Sequence, residues 1–155
     1  MTPSPVHETA PEPASRGRIL LVEDDPDAAL FATHILTRRG GFDVTHTPDP
    51  VVALALAAEQ SWDLVVTDLD LPTMTGLEMI TALRRMVPML PVVVVTAEPR
   101  EEWPRFGDGC GPDAILAKPV LADALLAAVS AVILTAPYGG QWVPGADGVS
   151  AADRG

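Results

Sequence analysis

Several kinds of site are excluded by what this chain has little of. Its only cysteine is Cys110, so neither an internal disulfide nor a cysteine metal cage can form. The three histidines, His7, His34 and His46, lack ligand spacing and read as structural or solvent-facing. Ten basic residues stand against 21 acidic ones, giving a formal charge of −11 and a pI of about 4.4. Such a chain lacks the basic patch that a nucleic-acid surface needs to release counterions. No apolar run reaches membrane-spanning length uninterrupted. The stretch from Met1 to Ser15 has no apolar core of the kind a signal peptide carries. Internal repeats are absent. The expectation is a soluble cytoplasmic protein with neither nucleic acid nor membrane as partner.

What is present is enough apolar material for a core, 48% of 155 residues. Residues 1–16 carry four prolines and no periodicity, and read as a disordered tail. Arg18 to Val22 is an apolar strand that ends in Glu23, Asp24 and Asp25. A helix follows from Pro26 to about Arg39, stopped by Gly40-Gly41. Phe42 to Thr47 alternates like a short edge strand, and Pro48 to Gln60 reads as a second helix. Leu64 to Val66 is a β-branched run without a charge, ending at Thr67-Asp68. Leu77 to Met86 is a third helix, and Pro91 to Val95 a strand ending in Thr96. Glu98 to Pro112 holds three prolines and three glycines, which disfavours a full helix. Ala114 to Ala117 is the last strand, followed by Lys118-Pro119 and a final helix from Val120 to Ala136. Residues 137–155 are Gly-rich and read as a flexible tail, which leaves 17–136 as the domain.

Strands therefore alternate with helices, the pattern of a parallel sheet covered on both faces. In such sheets the strand ends on one edge converge, and ligands sit there. Four of these ends are Glu23-Asp24, Asp68, Thr96 and Lys118. Taken alone, an acid at a strand end either caps the next helix or performs chemistry. Clustered carboxylates repel one another, and a hard divalent cation such as Mg2+ relieves that repulsion. Lys118 is the only lysine, since the nine other basic residues are arginines. A compact ammonium there suits a phosphate or a carboxylate, although a surface salt bridge is the plainer use. Mg2+, a lysine and a hydroxyl around one Asp are what phosphoryl transfer to that Asp requires.

The segments RILLVEDDPD, VVTDLDLPTMTGLE, VVVVTAE and GPDAILAKPV, in this order, resemble the receiver domain of bacterial two-component response regulators. The resemblance implies a flavodoxin-like, doubly wound α/β fold with a five-stranded parallel sheet in the order 2-1-3-4-5. The fourth helix, between the fourth and fifth strands, is expected to be short or irregular here. By resemblance, Asp68 is the phosphoacceptor, loaded by a histidine kinase or phosphotransfer protein. Asp24 and Asp68 are the side-chain ligands of Mg2+, Glu23 reaches it through water, and Asp70 lends its backbone carbonyl. Thr96 and Lys118 bind the phosphoryl group, and the bond to Pro119 is expected to be cis. Asp70 and Glu98 match positions that tune dephosphorylation.

Two departures from the family pattern fall on the usual output face. Position 115, usually Tyr or Phe, is Ile115, so the relay lacks its aromatic. The Pro/Gly-rich stretch replaces a regular helix. No effector is expected after the receiver, which then signals through a protein partner as a single-domain regulator. Self-association through the final helix is expected, with Leu125, Leu126, Val129, Val132 and Ile133 on the sheet and Leu121, Ala124, Ala128 and Leu134 exposed. Two alternatives stand beside this reading. One is a receiver-like adaptor that works without phosphorylation. The other is a Mg2+ phosphatase of the haloacid-dehalogenase type, suggested by Asp68-x-Asp70. Those enzymes place their acid pair after the lysine, whereas Glu23-Asp24 comes first here.

Overall fold

The computed structural model describes residues 15–106 and 110–135. Five strands form one parallel sheet in the order β2-β1-β3-β4-β5. They are β1 (Arg18–Val22), β2 (Asp43–Thr47), β3 (Leu64–Thr67), β4 (Val92–Thr96) and β5 (Ala114–Ala117). The helices are α1 (Pro26–His34), α2 (Pro50–Glu59), α3 (Gly76–Met86) and α4 (Ala122–Thr135). The expected strand order is thus observed. Most of the segment read as tail, 1–16, and all of 137–155 lie outside the described residues. Within the first, Arg16 is tied down: its guanidinium donates to the Gly40 carbonyl at 3.0 Å and stacks over Phe42.

Beyond Arg18, β1 forms, as β3 and β4 do, because it is an uncharged run of mostly Val and Leu, which suits a surface buried on both faces, whereas β2 (Asp43–Thr47) is a polar, half-exposed edge strand. Alternate residues face opposite ways. Ile19, Leu21, Val66, Val93 and Val95 meet the turn that continues α1 (Ile35–Arg39) and α4, among them Leu36, Leu125 and Val129. Leu20, Val22, Val65, Val92 and Val94 meet α2 and α3, among them Ala53, Met79 and Leu83. Three helices start on side-chain caps. Asp25 and Asp49 each accept a backbone N–H two residues on, with Pro26 and Pro50 at the first helical position. Thr75 and Glu78 form a reciprocal capping box at α3.

Two details differ from the sequence reading. The last turn of the first helix, Ile35–Arg39, widens into a π-helical turn closed by Gly40 N–H donating to the Ile35 carbonyl. A Cβ at Gly40 would stand 2.8 Å from the Phe42 ring and 3.0 Å from Leu126, so only glycine lets the chain pass there. In the final helix Ala128 is fully buried rather than exposed. It shares the sheet-facing stripe with Leu125, Val129 and Val132 at i, i+3, i+4 and i+7, and its small side chain lets α4 lie close. Leu121, Ala124 and Leu134 are exposed as expected. Among the described residues, the segment between β4 and β5 holds one 3-10 turn, Arg100–Glu102, and no α-helix, as expected for this irregular stretch. Among the described residues no helix is long and apolar enough to cross a membrane.

Candidate functional site

The order of the sheet reverses between β1 and β3, whose carboxyl ends lie side by side in register, Val22 opposite Thr67. The backbone steps straight from there into the acids: Asp68 N–H donates to the Val22 carbonyl at 3.2 Å. Carboxylate oxygens of Glu23, Asp24 and Asp68 all lie within 4.8 Å of one another. Lys118, at the end of β5, reaches over the same edge. Its Nζ donates to Glu23 Oε1 and to Asp68 Oδ2, each at 2.9 Å. The remaining Asp68 oxygen, Oδ1, accepts the Asp70 N–H at 3.1 Å. Glu23 Oε2 accepts the Asp25 N–H, and the His46 ring contacts the Glu23 carbonyl oxygen at 2.8 Å.

Burial sorts these groups. The side chains of Glu23 and Asp68 are 6% and 8% exposed, that of Lys118 21%, and Asp24 and Asp70 face solvent. Burial pushes the Glu23 carboxyl above the ordinary range, and the hydrogen bond from Lys118 only partly offsets this. Burial also disfavours the Lys118 ammonium, yet two carboxylates within hydrogen-bond reach outweigh it, so its pKa is raised. The cluster therefore concentrates negative charge that a single cation balances incompletely. Three carboxylates, one of them open to solvent, form the oxygen-rich donor set a hard divalent cation takes. Magnesium fits these residues on that ground.

Thr96 closes β4 and is fully buried. Its carbonyl accepts the Lys118 N–H at 2.7 Å, and its Oγ1 accepts the Glu98 N–H at 3.0 Å. The Lys118-Pro119 peptide is cis. Ile115 is 7% exposed and sits in the α2–α3 side of the core. A cavity of about 470 Å³ opens beside the acids, with Ala28, Phe31 and Ala32 of α1 on one wall and Lys118 and Val120 on the other.

Two positioning residues escape a reading of the sequence for chemistry. Asp25 looked like one more acid, but it caps α1 and fixes Glu23 through its N–H. The Asp25-Pro26 pair was the available signal. Gly76 starts α3 against the backbone of the site: its N–H donates to the Leu69 carbonyl at 2.8 Å. A Cβ there would stand 2.5 Å from Leu69 Cα and 2.9 Å from the Asp68 carbonyl oxygen. Gly76→Ala should therefore displace the Asp68–Leu69 backbone and cost about 1–3 kcal/mol through overpacking. Chemical denaturation checks the loss, and a midpoint equal to wild type would show that the loop yields freely.

A strand-end acid cluster bridged by one lysine, at the reversal point of a 2-1-3-4-5 parallel sheet, marks a flavodoxin-like α/β domain with a ligand site at its switch point. The chain belongs to the response regulator receiver family, whose profile matches residues 19–130. The transcriptional regulatory protein PrrA of Mycobacterium tuberculosis is 34% identical over 116 residues, 75% of this chain and 49% of that protein. The two-component response regulator PhoP of Pseudomonas aeruginosa is 36% identical over 120 residues, 75% of this chain and 51% of that protein. The chain thus spans about half the length of these curated relatives. Among solved structures, the receiver domain of the Pseudomonas aeruginosa sensor histidine kinase PA1611 is 27% identical, with a TM-score of 0.70. It covers 77% of this chain and 98% of its own, and is described with a magnesium ion in its active-site cleft.

Proposed function

We propose that this chain accepts a phosphoryl group on Asp68 from a histidine kinase or phosphotransfer protein, in the presence of Mg2+, and passes the signal on by protein contact in the cytoplasm. The observation that carries the reading is Lys118 Nζ held 2.9 Å from both Glu23 and Asp68 carboxylates, with Asp24 alongside. In the reaction an Asp68 carboxylate oxygen attacks phosphorus in line with the leaving imidazole nitrogen. The new O–P bond makes an acyl phosphate as the N–P bond breaks. The Asp70 N–H fixes one carboxylate oxygen beforehand, so little reorientation is needed. Lys118 compensates the charge on the phosphoryl oxygens, and the Thr96 hydroxyl offers them a donor. Asp24 and Asp68 would hold Mg2+ directly, Glu23 through water and Asp70 through its carbonyl. Bound there, the ion supplies charge neutralisation at the transferring oxygens. The cavity beside α1 gives a donor side chain a way in.

The adaptor alternative gains nothing from the acid cluster, which is complete. The phosphatase alternative loses support from the order of its acids and from the family match. Self-association would use the exposed Leu121, just before α4, with Ala124 and Leu134 of α4.

Mass spectrometry after incubation with acetyl phosphate tests the main reading directly: one phosphoryl group on Asp68, and none when EDTA is present from the start. A second expectation concerns the ion alone. Mg2+ at a hundred times its dissociation constant should stabilise the fold by about 2.7 kcal/mol. Asp24→Asn should remove most of that gain. Thermal melts with and without Mg2+ decide it, and equal gains in both proteins would take Asp24 out of the metal site.

A further inference from the structure

The site has an altered route outward, and a short chain of hydrogen bonds leads along it. Thr96 Oγ1 accepts the Glu98 N–H at 3.0 Å, and the Glu98 carbonyl accepts the Trp103 indole N–H at 2.9 Å. These bonds join the buried end of β4 to a half-buried aromatic on the segment that replaces the fourth helix. Trp103 and Phe106 pack against the core cluster containing Ile115, Val94 and Met79. Aromatic bulk absent from position 115 is thus present on the loop. The Ile115 side chain carries no polar atom, unlike the Tyr that often stands at this position. Trp103 has an apolar body packed against the core and a polar handle tied to the site's neighbour.

The Thr96 hydroxyl is the strained member of this chain in hydrogen-bonding terms. It is fully buried, and among the described residues its own proton has no acceptor. Buried donors are normally paired. Thr96 sits on the strand beside Asp68, one register step further along if the Thr67–Val94 pairing is continued. Phosphoryl oxygens on Asp68 would supply the missing acceptor. Closing onto them by rotation about the Thr96 Cα–Cβ bond, rather than about Cβ–Oγ alone, would carry Oγ1 away from the Glu98 N–H. Glu98 precedes Pro99, which confines its backbone to extended conformations. A displacement at its N–H is therefore passed to its carbonyl instead of being absorbed.

We propose that Trp103 reads the state of Asp68 through Thr96 and Glu98, in place of an aromatic at position 115. Without phosphate, the Thr96–Glu98–Trp103 chain holds the indole against the core. With phosphate, the Glu98 carbonyl shifts and the indole changes its setting, presenting an altered surface to an output partner. This inference rests on the phosphoacceptor reading, and the experiment separates the two.

Fluorotryptophan is incorporated into the full chain, and fluorine NMR spectra are taken with Mg2+, before and after adding beryllofluoride. The Trp103 line is the one missing from Trp103→Phe. Bound beryllofluoride gives its own fluorine signal, so one spectrum reports both site occupancy and Trp103. The expected result is a resolved shift of the Trp103 line on adduct formation, with the Trp62 line unmoved. Thr96→Val, without any adduct, should already move the Trp103 line in the same direction, because the Glu98 N–H has lost its acceptor. An adduct that forms while Trp103 stays still overturns the relay and leaves the phosphoacceptor reading intact. An unmoved line in folded Thr96→Val overturns it as well. Absence of a bound beryllofluoride signal in wild type removes the phosphoacceptor reading, and the relay with it.

Discussion

Asp68→Asn should reduce phosphate incorporation from acetyl phosphate to background while leaving the fold intact. The amide oxygen is a far weaker nucleophile than the carboxylate, so no acyl phosphate forms. Stability follows from two opposing terms. The substitution removes a charge-assisted bond to Lys118, 2.9 Å long. It also removes a buried like charge that helps raise the Glu23 carboxyl. An Asn side chain keeps an oxygen for Lys118 and another bond for the Asp70 N–H through the same atom or water. The net change should lie within about 1 kcal/mol of wild type. Intact-mass analysis reads the first outcome and urea denaturation the second. Acid-labile phosphate persisting at wild-type level in Asp68→Asn would move the acceptor to another residue.

Much of this architecture was legible because local and global preferences agree. The uncharged, valine-rich runs at 64–66 and 92–95 read as strands buried on both faces. The strand ends change character abruptly: Asp68 after Leu64–Thr67, Thr96 after Val92–Val95 and the only lysine, Lys118, after Ala114–Ala117. The parallel rule then placed those ends together without any knowledge of distance. What stayed hidden depends on contacts between remote parts of the chain. The π-helical turn at Ile35–Arg39 is tied to how closely Gly40 passes Phe42 and Leu126. The sequence pattern starts the third helix at Leu77, and the importance of Gly76 just before it lies in a backbone approach to Leu69. Ala128 counted as surface because an alanine fits either face of a helix, and only the packed sheet decides. The irregular stretch after Thr96 could be recognised by its prolines and glycines. Its bond to Thr96 through Glu98 could not, since nothing in a single sequence says where an indole N–H will point.

Replacing Lys118 should have the other large effect, and it should be visible in both rate and stability. Lys118→Met keeps the apolar stem and removes the ammonium. Phosphorylation should slow by about 10²–10³-fold, the usual cost of losing a fixed charge aimed at reacting oxygens. The metal-free fold should lose about 3 kcal/mol, the low end for breaking a buried ion pair, since the Lys118 side chain keeps 21% of its exposure. The pH dependence gives the sharper check. In wild type, burial already holds the Glu23 carboxyl above the ordinary range, with Asp68 adding repulsion and Lys118 opposing both. A carboxyl with a raised folded-state pKa binds more protons folded than unfolded. Its contribution therefore weakens as pH rises from the ordinary carboxylate value through the raised one. Lys118 has a raised pKa of the other kind, so its stabilisation is complete below the ordinary lysine value and is lost only above it. Throughout the mildly acidic to neutral window, then, the ammonium is charged and restrains Glu23. Without it, Glu23 and Asp68 face each other uncompensated, the Glu23 carboxyl rises further, and the fall of stability with pH steepens. Lys118→Met should accordingly recover stability on acidification from neutral pH more than wild type does, and Mg2+ should restore part of it at neutral pH. Denaturation midpoints in metal-free buffer across that window measure this. A variant whose midpoint runs parallel to wild type would mean that the ammonium does not govern the charge of the cluster.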